Sequence, residues 1–121
     1  MAGKGYTPGE HDNRPWGEWT VLDAARGYAV KRIRVIPGGV LSLQRHRHRA
    51  EVWTIVAGTA EVTIGGRVFA AGPGECVRIG VGEVHRVANH GGTDVVFIEV
   101  QTGAILSEDD IERLEDRYGR A

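Results

Sequence analysis

Residues Pro37–Val62 read PGGVLSLQRHRHRAEVWTIVAGTAEV, and the alternation inside this stretch decides the fold. In an extended chain, successive side chains point to opposite faces. Gln44, His46 and His48 then share one face, and Arg45 and Arg47 the other. Glu51 opens a second apolar run, EVWTIVAG. Two neighbouring strands carrying these residues would gather amide, imidazole and carboxylate donors at one point. A downstream stretch, GECVRIGVGEVHRVANH, adds His85 as a further donor.

The same period extends outward. From Tyr28 to Ile36, Ala29, Lys31, Ile33 and Val35 fall on one face, while Arg32 and Arg34 on the other face seek water. Lys31 therefore lies in a buried stripe. A lysine there either reaches out to solvent or serves a pocket as cation or base. Gly65-Gly66 suits a two-residue hairpin connection. Around nine short strands punctuated by glycine turns predict an all-β sandwich or barrel. Trp16 and Trp19 are expected to cover one open end. The single cysteine, Cys76, is expected as a small core residue.

The two ends read differently. Residues 1–13 are polar and glycine-rich and are expected to be a flexible N-terminal segment. Residues 14–121 form the single predicted domain. Near its end, Ser107 with Asp110 resembles a capping signal, and Ile111, Leu114 and Tyr118 follow helical spacing. That spacing predicts a short C-terminal helix over about 107–118.

Composition narrows the class of function. A chain of 121 residues supports one core. A net charge of −1 gives no electrostatic footprint for nucleic acid or a membrane surface. No apolar run reaches spanning length, and the first residues lack an apolar leader. The expectation is a soluble, cytoplasmic protein without an internal disulfide.

The donor spacing resembles the two motifs of the cupin family, a double-stranded β-helix or jelly-roll barrel. Five residues separate Gly38 from Gln44, His46 follows after one more, four precede Glu51, and six lead to Gly58. Gly74, Gly80, Gly82, His85 and Asn89 keep the second spacing, with Gly80 in the proline position. The resemblance implies Gln44, His46, Glu51 and His85 as ligands of a divalent ion. Taking His46 and His48 as the histidine pair leaves only two residues before Glu51, so His48 is placed beside the site. Imidazole, carboxylate and amide suit a borderline divalent ion; the resemblance implies zinc, with manganese, nickel or iron as alternatives.

RPWGEWTVLD, SLQRHRHRAEVW, VGEVHRVAN and the tail EDDIERLEDRYGR resemble more narrowly the C-terminal domain of type II mannose-6-phosphate isomerase/mannose-1-phosphate guanylyltransferase. The resemblance covers about residues 14–120. Arg47 and Val52 stand where that family usually carries histidine. It implies interconversion of mannose 6-phosphate and fructose 6-phosphate without guanylyltransferase activity. A separate mannose-1-phosphate guanylyltransferase is an implied partner. The chemistry needs a proton carrier, for which His48 and Lys31 are candidates, and a cationic grip on phosphate. Arg49 and Arg86 are candidates for the grip, with Arg49 also placed among the catalytic residues and Trp53 among those contacting substrate. A non-catalytic cupin that binds a phosphorylated or nucleotide-linked sugar is the competing class. Exposed sheet edges predict a homodimer.

Overall fold

The computed structural model describes residues 5–119. Among them the regular elements are all β: β1 (His11–Arg14), β2 (Gly17–Ala25), β3 (Tyr28–Val35), β4 (Leu43–Arg45), β5 (Arg49–Ala57), β6 (Ala60–Ile64), β7 (Arg67–Ala71), β8 (Cys76–Ile79), β9 (His85–Ala88), β10 (Val95–Gly103) and β11 (Glu112–Glu115). They form two antiparallel sheets, in the orders β1-β2-β3-β10-β5-β8 and β11-β4-β9-β6-β7. This is the double-stranded β-helix. Inward residues of both sheets, among them Val21, Ile33, Ile55, Phe97, Val62 and Val87, form one buried cluster.

The strands follow the alternation of the sequence. Ala29, Lys31, Ile33 and Val35 are all buried along β3, and Val95, Phe97, Glu99 and Gln101 along β10. Gly65 has φ +57° at the β6–β7 hairpin, which glycine adopts without a Cβ penalty. Gly103 pairs with Arg49, and a Cβ there would lie 2.2 Å from the His48 carbonyl oxygen. Glycine lets β5 start close against β10.

Two expectations are corrected. The predicted helix at 107–118 is absent. Ser107 caps a single turn, its Oγ accepting from the Asp109 amide at 3.1 Å, and the chain then extends as β11 against β4. A helix this short is marginal alone, whereas β4 has an edge to pair, and Arg45 donates twice to Glu112 at 3.1 and 2.9 Å. Of the segment 1–13, expected to be flexible, the described part includes strand. Residues 1–4 lie outside the described residues, but β1 begins at His11, and backbone bonds tie Gly9 and Glu10 to Val21. Cys76 is exposed rather than core, because β8 turns Val77 and Ile79 inward.

Candidate metal centre and its cavity

Strand order assembles the site. β10 lies between β3 and β5, so Glu99 is paired with Lys31 on one side and Trp53 on the other. One step along, Gln101 is paired with Glu51. In the facing sheet, Gln44 of β4 pairs with His85 of β9. His46 follows β4 directly. All of these side chains except Gln101 line one cavity, which Trp16 and Trp19 also wall.

His46, Glu51 and His85 are buried, and one ligand atom from each lies within 4.8 Å of the others. His46 Nε2 is 3.2 Å from Glu51 Oε2, and His85 Nε2 is 3.8 Å from Glu51 Oε1. Each imidazole is held from behind by its Nδ1, at 2.6 Å from the Asp110 carbonyl for His46 and 2.9 Å from the Glu83 carbonyl for His85. A carbonyl only accepts, so Nδ1 carries the hydrogen and Nε2 turns its lone pair to the cavity. This backing fixes the tautomer that metal-ligating histidines use. The donor set therefore fits a divalent ion, with the Gln44 amide on the same wall.

Charge is closely balanced around the trio. Arg49 Nε donates to Glu51 Oε2 at 2.8 Å, and Arg49 Nη2 lies 3.3 Å from His46 Nε2. Trp53 Nε1 donates to Glu51 Oε1 at 3.0 Å and to Glu99 Oε1 at 3.1 Å, while Gln101 holds Glu99 Oε2 at 2.8 Å. Burial raises the pKa of Glu51, but Arg49 and the two histidines outweigh it and hold this carboxyl well below the usual carboxylate range. Burial and the adjacent Glu51 push Glu99 up to about 8. Burial lowers His46 to about 4, against the opposing pull of Glu51.

A second set of charges lies beside the first. Lys31, only 2 % exposed, donates to the Tyr6 hydroxyl at 3.0 Å and to Glu108 Oε2 at 2.8 Å. Tyr6 itself donates to Glu108 and accepts from Arg49 Nη1 at 3.1 Å. The ammonium stacks on the Tyr6 and Trp19 rings, 4.1 and 4.3 Å from their centroids.

The structure thus brings Gln44, His46, Glu51, His85, Lys31, Arg49 and Trp53 to one cavity. His48 and Arg86 are not among its lining residues. His48 is exposed in the turn before β5, where its amide donates to Asp110. Arg86 faces away from His85 and pairs with Glu115 at 2.9 Å. Tyr6, Glu99 and Glu108 were missed by sequence reasoning. Glu99 had a signal, an acid at an inward position of an alternating strand; Tyr6 and Glu108 lie in segments without a period.

The family model described as mannose-6-phosphate isomerase C-terminal matches residues 6–116. The chain belongs to this family. The mannose-1-phosphate guanylyltransferase ManC of Salmonella typhimurium is 51% identical over 107 residues, which cover 88% of this chain and 22% of that protein. The alginate biosynthesis protein AlgA of Pseudomonas aeruginosa is 50% identical over 107 residues, with the same coverage. The chain thus spans about a fifth of the length of these relatives. Among solved structures, an oxalate decarboxylase of Lactobacillus farciminis superposes with a TM-score of 0.76 at 23% identity, over 87% of this chain and 33% of that one. A double-stranded β-helix protein of Klebsiella pneumoniae gives 0.71 at 22% identity, over 92% and 84%. At such identity these two establish the cupin fold alone.

Proposed function

We propose that this domain is a metal-dependent sugar-phosphate isomerase interconverting mannose 6-phosphate and fructose 6-phosphate. The observation that carries the reading is one buried cavity holding the His46–Glu51–His85 cluster beside the cations Lys31 and Arg49. The family match and the mannose-phosphate chemistry in the relatives' names support the choice of sugar.

Gln44, His46, Glu51 and His85 would hold a divalent ion, zinc ahead of manganese, nickel or iron. Bound there, it would polarise the oxygens at C1 and C2 between which the proton moves. The chain supplies the rest. Lys31 and Arg49 give positive charge for the phosphate. Trp53 orients the Glu51 and Glu99 carboxyls through its indole N–H. Glu99 is the ionisable cavity group left to carry the proton, since Lys31 is salt-bridged to Glu108 and His48 points to solvent. The wall of Trp16 and Trp19 keeps water from the reacting carbons. A separate mannose-1-phosphate guanylyltransferase is the partner this reading points to.

A coupled assay on metal-loaded protein tests the proposal. Turnover should fall by about 10² or more in His85→Ala, Arg49→Ala and Glu99→Gln. One observation favours a binding module instead: the cavity's charges already satisfy one another. Saturable binding of mannose phosphates or GDP-mannose without turnover would establish that reading and remove the isomerase.

A further inference from the structure

We propose that Glu108 is a built-in occupant of an anion site formed by Lys31 and Arg49, and that a phosphate group enters by displacing it. The proposal takes its ligand from the isomerase reading, but its geometry stands without it. Lys31 is buried, and its carboxylate partner is Glu108, at 2.8 Å. Glu108 also lies 3.6 Å from Arg14 Nη2 and 3.9 Å from Arg49 Nη1. Three cations thus point at one carboxylate, in an arrangement suited to an anion with more oxygens and more charge.

Space makes the displacement necessary. The free volume of the cavity is about 60 Å³, room for a few waters. Clefts that take small ligands are roughly 300–1,000 Å³. A hexose phosphate does not fit that volume while Glu108, which lines the cavity, and Tyr6, hydrogen-bonded to it, stay in place. Both belong to segments outside the regular strands, and they are joined by a hydrogen bond between residues far apart in the chain. They form a clasp, and moving Glu108 uncovers Lys31, Arg14 and Arg49 together. Trp19 Nε1, buried on the same cavity without a partner, is an additional donor there.

A divalent ion on the cluster would add positive charge beside Lys31 and Arg49, which a phosphate dianion would offset better than one carboxylate.

The test is calorimetric titration of inorganic phosphate into the full chain, both chelator-treated and loaded with one equivalent of zinc. Glu108→Gln keeps the shape and removes the competing charge, so phosphate should bind at least about tenfold tighter than to the parent. Lys31→Met in the Glu108→Gln background should abolish that gain. Equal affinity in parent and Glu108→Gln, or a gain that survives Lys31→Met, overturns the proposal. If Glu108→Gln does not fold, Tyr6→Phe removes only the hydroxyl that joins the clasp to Lys31 and Arg49. It should then tighten phosphate several-fold, and an unchanged affinity overturns the proposal equally. Phosphate exchange with Glu108 in a protein that shows no turnover would retain the clasp and remove the isomerase; turnover with phosphate affinity insensitive to Glu108 would do the reverse.

Discussion

Gln44 is the residue whose identity most affects the proposed ion. It lines the cavity with His46, Glu51 and His85 and is paired across strands with His85. An amide oxygen is a weaker donor than imidazole, so Gln44→His should tighten zinc by about tenfold or more, on the order of 1.4 kcal/mol. Competition against a chromophoric chelator measures it. Unchanged affinity in Gln44→Ala, with loss in His48→Ala, would move the fourth ligand to His48. The gathering of Gln44, His46, Glu51 and His85 on one cavity was legible in the sequence, through strand alternation and the spacing of the two cupin motifs. Arg49 was legible only as a neighbour of the ligands. Its double contact with Glu51 and His46 comes from the tight start of β5 at Gly103, which no local pattern reports.

At the scale of elements, alternation revealed most strands and the glycine turns between them. It failed in the tail. Ile111, Leu114 and Tyr118 satisfy helical spacing, yet the segment forms β11 because β4 offers a pairing edge and Arg45 a partner for Glu112. Such a partner is tertiary information. The terminal strands of the two sheets among the described residues are β1 and β8, and β11 and β7. β7 carries Val68, 61 % exposed, on a row of open backbone donors and acceptors. Such edges are covered in stable proteins by pairing or by other devices. We therefore expect a homodimer, seen by sedimentation velocity at micromolar concentration; a monomer there would contradict it.

The buried charges also shape the stability of the whole molecule. The case that separates them from the ion is chelator-treated protein. His46, lowered by burial from 6.5 to about 4, binds a proton in the unfolded chain before it does so in the folded one. Its contribution is therefore lost as pH falls from 6.5 to 4. Glu108 is held down to about 2, the pull of Lys31 and Tyr6 exceeding the opposing effect of burial, so its contribution is lost between 4.5 and 2. Glu99, raised to about 8, acts in the opposite sense: its contribution is full below 4.5 and disappears as pH rises through 8. Between 4.5 and 6.5 the slopes of His46 and Glu99 oppose each other. Denaturation midpoints should be nearly flat across that window, fall steeply below it and decline again toward pH 8. A midpoint that rises from pH 6.5 to 8 would contradict the assignment of Glu99.

The bond between Tyr6 and Glu108 spans 102 positions of the chain. During synthesis, Tyr6 leaves the ribosome long before its partner exists. The pocket walls can begin to pair while translation continues, but Lys31 lacks its salt-bridge partner until residue 108 has emerged. A nascent chain held short of that point should therefore carry an open, positively charged mouth, and closing it would be among the last events of folding.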